Sequence, residues 1–174
     1  MTVQTSVALN LAVALAGDVR GDDPICQTRV TTVVSNGGLA MCQASGGDDR
    51  CRLPASSSDV AKLRGVARSD VSRDPNFPPG GTPGYTYQIG DSVDLVYRGQ
   101  VWVTVEDAVA PDDPAYVRHT SDGASNTQLG SWRGDADTGP SPGYVDRAAL
   151  VTGARYLTTA SAGGLALLDL NLPQ

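Results

Sequence analysis

The residues able to do acid–base, nucleophilic or metal chemistry are few and scattered. His119 is the only histidine, and it sits in Tyr116-Val117-Arg118-His119 with no G-x-S-x-G elbow anywhere in the chain. A hydrolytic triad needs a base, usually His, held against a nucleophile, so His119 reads as a strand histidine, either exposed or in the core. Acidic pairs recur at Asp22-Asp23, Asp48-Asp49, Asp112-Asp113 and Asp135/Asp137. All lie in turns with Gly or Pro, where Asp is favoured because its carboxylate accepts from nearby backbone N–H groups. Gly134-Asp135-Ala136-Asp137-Thr138-Gly139 is the best metal candidate, since a D-x-D spacing can bring two carboxylates to one calcium ion. It lacks the downstream bidentate Glu of an EF-hand. Nothing orders a carboxylate pair for glycoside hydrolysis, and no Gly-rich loop leads into Lys-Ser/Thr to cradle a phosphate. The chain is therefore read as no enzyme, with no catalytic residue, no cofactor and no metal.

Three cysteines, Cys26, Cys42 and Cys51, have fifteen and eight residues between neighbours. The odd count argues against a secreted disulfide framework, and the spacing matches no zinc pattern. Buried apolar thiols are the simplest account; a Cys42–Cys51 bridge stays open.

Composition bounds the rest. The chain has 174 residues, a net charge of −6, 20 Gly, 11 Pro and a single Phe. Gly and Pro at this density imply many turns and short elements. Lys62 is the only lysine and the arginines are dispersed, so the basic footprint needed to hold nucleic acid is missing. The apolar run from Val7 to Ala16 is shorter than the roughly 20 residues a bilayer span needs. No Lys or Arg precedes Arg20, so it also lacks the charged start of a signal peptide. Neither a nucleic-acid nor a membrane partner is expected.

The elements that must position these residues are predicted to be strands. Residues 1–25 form an N-terminal arm ending in the turn-rich run Gly17 to Pro24; residues 26–174 form a β-domain. Val30 to Val34 and Leu39 to Ala44, separated by Ser35-Asn36-Gly37-Gly38, have the pattern of a hairpin. The segment from 74 to 84 holds four Pro and three Gly, so neither helix nor central strand passes through it; it is a surface loop or separates two halves. Ser92 to Tyr97 and Gln100 to Glu106 alternate with period two on either side of Arg98-Gly99, which predicts a second hairpin with Val101, Val103 and Val105 facing the core and Trp102 and Thr104 away from it. Asp146 to Val151 could make a helical turn. Val151 to Ala160 turns at Gly163-Gly164 into a last strand with Leu168, Leu170 and Leu172 on one face. The fold class expected is all-β, an antiparallel, jelly-roll-like β-sandwich or barrel of about eight to ten short strands.

Several segments, taken in order, resemble the structural cement (capsid decoration) proteins of tailed bacteriophages. They are Gly17-Asp18 after the apolar arm, Leu53-Pro54-Ala55 followed by Gly65-Val66-Ala67, and the block from Tyr87-x-x-Gly90-Asp91 through Val101-Trp102-Val103-x-Val105-Glu106-x-Ala108-Val109. Asp113-Pro114-x-Tyr116-Val117 and the close Gly153-Ala154-Arg155-Tyr156-Leu157-Thr158-Thr159-Ala160, then Gly163-Gly164-Leu165-Ala166, continue it. The three cysteines and the Pro/Gly segment depart from that pattern. The resemblance implies an all-β virion protein, made in the host cytoplasm, on the outer surface of the capsid, where it bridges neighbouring copies of the major capsid protein. Self-association as a homodimer or a homotrimer would both suit such a role.

The segment expected to reach a partner is the arm, through Val3, Val7, Leu9, Leu11, Val13 and Leu15, with sheet augmentation as the physical route. A rival reading is a phage tail or surface β-sandwich that binds a host glycan through Trp132, Tyr144 and the Asp135/Asp137 loop.

Overall fold

A computed structural model describes residues 14–69, 86–123, 126–138 and 145–173. The arm positions Val3, Val7, Leu9, Leu11 and Val13, the 74–84 segment and Tyr144 lie outside these.

The chain is all-β, as expected. Its elements are β1 (Val19–Thr31), β2 (Ser35–Asn36), β3 (Ala40–Gln43), β4 (Arg50–Arg52), a single helical turn α1 (Ser57–Val60), β5 (Leu63–Ala67), β6 (Thr86–Tyr87), β7 (Ser92–Thr104), β8 (Pro114–Arg118), β9 (Trp132–Arg133), β10 (Ala148–Tyr156) and β11 (Leu165–Asn171). Nine of these strands form one sheet in the order β1-β4-β3-β5-β7-β11-β10-β8-β9, and β2 pairs with β6. All named pairings are antiparallel except the short parallel register of β1 with β4 at Val30 and Thr31.

The sheet curls back on itself twice. β1 also pairs with β7, from Val19↔Val101 to Val30↔Ser92, so β1, β4, β3, β5 and β7 close a ring. At the far end Val105 bridges to Trp132, and Glu106 N–H donates to the Trp132 carbonyl at 2.9 Å. This brings β9 back to the end of β7 and closes a second ring through β11, β10 and β8. Closure leaves short edges, the usual barrel answer to the exposure of unpaired backbone. The largest core cluster joins both rings and includes Val96, Val101, Val103, Val105, Val117, Trp132, Tyr156 and Leu168. A smaller one gathers Met41, Cys51, Ala67, Tyr87, Val93 and Leu95.

Alternation foretold the faces. Val101, Val103 and Val105 are fully buried, and Leu168, Leu170 and Leu172 are buried, while Trp102 is half-buried and Thr104 exposed. The connections differ in four places. Arg98-Gly99 is no turn: β7 runs through it as one strand, with Gly99 at φ 118°. A Cβ on Gly99 would lie 3.2 Å from Pro24 Cα, so this glycine admits the bulge where β1 crosses between Arg20 and Ile25.

The expected hairpin around Gly37-Gly38 is absent because β3 pairs with β4 and β5, and Ser35–Asn36 pairs with β6. Asp146 to Val151 is no helical turn, since β10 begins at Ala148 against β8. β1 runs through the turn-rich stretch before Pro24, starting at Val19.

The cysteines are all free thiols. β3 and β4 set Cys42 opposite Arg52 and Cys51 opposite Gln43. Paired residues share a face and neighbours alternate, so the two buried thiols point to opposite sides of the sheet and cannot bridge. Burial pushes both up to about 11.

Candidate functional site

Two arrangements stand out from the ordinary hydrophobic interior: a buried ionic cluster in the second ring and the root of the N-terminal arm on β7.

β8 carries Arg118 inward, where its side chain is fully buried. Its Nε donates to both oxygens of Glu106 at 2.9 and 2.8 Å. Its Nη1 donates to the Thr120 carbonyl at 3.1 Å and lies 2.8 Å from Asp137 Oδ2. Burial works against its charge, but the bonds to Glu106 and Asp137 outweigh it and hold the guanidinium above its ordinary value.

Arg133 on β9 meets Glu106 at 3.3 Å and Asp137 at 3.5 Å, and chelates Asp135. Burial disfavours ionised Asp135, yet the Asp137 N–H and Arg133 hold its carboxyl below the usual range. Asp137 adopts φ 51° to reach both arginines, a left-handed conformation that Asp tolerates better than most residues.

A buried charge is costly unless paired. Here two cations and several anions are paired, and the cluster ties the 132–137 segment to β8 and to the end of β7. The carboxylates singled out as a calcium candidate are thus engaged by guanidinium groups. Trp132, offered above as a sugar platform, is fully buried and its Nε1 donates to the Gly38 carbonyl at 3.0 Å. A glycan cannot stack on it. His119 is buried too, and its Nδ1 pairs with Thr120 Oγ1 at 2.9 Å.

The cluster was not foreseen. The available clue was two arginines near Glu106 and Asp135/Asp137.

The arm root is built from backbone. Asp18 N–H donates to the Leu15 carbonyl at 3.0 Å, and Leu15 N–H donates to Asp18 Oδ2 at 2.8 Å. Gly17 N–H donates to the Trp102 carbonyl at 2.7 Å, Trp102 N–H to the Asp18 carbonyl at 2.8 Å, and Ser69 N–H to the Gly17 carbonyl at 2.9 Å. Ala16 lies over Gly37 and Gly38 so closely that a Cβ on Gly38 would stand 2.7 Å from the Ala16 Cβ. Leu15, the one proposed contact residue within the described chain, is half-buried at this root. Residues 15–18 are therefore fixed on β7.

What fold and geometry define is an all-β protein closed into two rings, with a buried ionic cluster in the second. A family model described as "Structural cement protein (E217 gp24/Pam3 gp6)" matches residues 3–171, and the chain belongs to that family, whose place is the phage capsid. A solved structure described as the capsid of Myoviridae phage XM1 contains a chain of the same fold, 19% identical, with a TM-score of 0.67 and 98% of each chain covered. No curated protein sequence matches significantly.

Proposed function

We propose that this protein is a non-enzymatic decoration protein that binds the outer surface of a phage head and bridges adjacent major capsid proteins. The observation that carries the reading is the family match across residues 3–171. A net charge of −6 suits the outer face and not the DNA-filled lumen. Cementing needs no chemistry: a ligand that binds only the assembled, expanded shell stabilises it by mass action. Contacts to two capsid subunits add effective concentration, so modest interfaces retain the protein.

The arm is the strand donor in this reading. The body closes its sheet into rings and offers little edge, whereas residues 3–15 alternate Val3, Val7, Leu9, Leu11, Val13 and Leu15 with small or polar residues and can add to a sheet edge of the shell or of a second copy. A root already fixed at Gly17 lowers the ordering cost of that contact. The test is heat disruption of undecorated shells with the full chain or with residues 14–174 added. The full chain should raise the disruption temperature and the truncated chain much less; equal protection by both would remove the arm from the interface.

A further inference from the structure

We infer that the cleft between Trp102 and Arg20 at the arm root is a contact site for the shell protein, fitted to an apolar segment that carries a carboxylate. This rests on the decoration reading and names a second contact for it.

Trp102 lies on the outer face of β7 between two fully buried valines, Val101 and Val103. Its cross-strand neighbour there is Leu167, itself buried, so the half-buried indole extends an apolar floor toward the surface. The cleft, about 560 Å³, is lined by Ala14, Asp18, Val19, Arg20, Gly21 and Trp102. Ala14 and Val19 give it apolar walls and Arg20 a charged rim.

Arg20 is exposed and, among the described residues, has no ion pair. Arg118, Arg133 and Arg155 differ, each held by one or more acids. In a chain of net charge −6, an exposed guanidinium beside a half-buried indole selects a partner that brings a carboxylate to an apolar contact; Asp18, the acid in the lining, is engaged by the Leu15 N–H at 2.8 Å. Trp and Arg are among the residue types that most often carry binding energy at interfaces. The position supports the same partner: the arm leaves from Ala14, a wall of this cleft, so one shell subunit would meet arm and cleft together.

The test is hydroxyl-radical footprinting of the full-length protein, free and bound to expanded shells, with oxidation read by peptide mass so that tryptophans of the shell do not interfere. Trp102 should oxidise in the free protein and be protected on shells, while buried Trp132 stays unoxidised in both. W102A and R20E should each weaken shell retention about tenfold, and R20E, at an exposed position, should leave the free protein's thermal midpoint unchanged. Equal oxidation of Trp102 in free and shell-bound protein would overturn the assignment. So would stronger oxidation of free residues 14–174 than of the free full chain, which would mean that the chain's own first residues fill the cleft. Failure of the wild-type protein to sediment with shells would instead overturn the decoration reading itself.

Discussion

Gly17 and Gly38 pass each other with no room for a side chain on either. A Cβ on Gly17 would lie 2.8 Å from Gly38 N, 2.8 Å from Ala67 O and 2.6 Å from Ser69 N, and Gly17 sits at φ 91°. The crossing locks the arm root to the starts and ends of β3, β5 and β7. Gly17→Ala combines a disfavoured backbone with contacts to atoms that cannot move aside, so we expect a loss of about 2–4 kcal/mol. Urea denaturation measures it; a loss under about 0.5 kcal/mol, the range of an ordinary surface substitution, would contradict the packing.

The buried Arg118 depends on Glu106. Glu106→Gln keeps the volume but removes the main counter-charge, leaving Asp137 as partner on the far side. Breaking a buried pair from one side costs about 3–5 kcal/mol, and the remaining acid puts this case at the lower end, about 3 kcal/mol. Arg118→Met, which removes the buried cation, should cost less than Glu106→Gln, because Arg133 still pairs with Glu106. The reverse order in chemical denaturation would refute the cluster's role.

How much of this was legible in sequence follows from the range of the interactions. Faces were legible wherever period-two patterns ran unbroken, as at Val101 to Val105 and Leu168 to Leu172. Connections were not, because glycine carries two meanings: Gly99 reads locally as a turn but admits Pro24 of another strand, and Gly37-Gly38 admits Ala16. The ionic cluster joins Glu106, Arg118 and Asp137 from separate segments, which no local pattern brings together. The arm root involves Gly17, Ser69 and Trp102, whose meeting no local pattern announces.

Acid should weaken the fold through His119. Burial first, and then the charge of Arg118, holds its imidazole below the ordinary 6.5, against the pull of Asp146 and Asp59. Its Nε2 is buried without a hydrogen-bond partner in the described structure. Between the folded-state value and 6.5 the unfolded chain binds the proton and the folded chain does not. The contribution is therefore complete above 6.5 and is lost as pH falls through that window, with a slope of at most about 1.4 kcal/mol per pH unit. Asp59 and Asp135, both lowered from 3.8, lose theirs only below that value. Denaturation midpoints between pH 7 and 5 should fall for the wild type and flatten in His119→Gln; parallel curves would exclude His119.

Thiol reactivity checks the β3–β4 register. Cys42 and Cys51 are buried, with their thiols near 11, while Cys26 is only partly covered. A thiol reagent should modify one group in the native protein and three after denaturation. A mild oxidant should leave no intramolecular bridge. A two-hydrogen mass loss mapped to Cys42 and Cys51 would show the register to be wrong.

Binding to the assembled shell defines the proposed role of this chain. Purified protein mixed with undecorated, expanded shells and centrifuged decides it most directly. Co-sedimentation should saturate at a fixed number of copies per shell and exceed binding to unexpanded shells. Protein that stays in the supernatant at every concentration would contradict it.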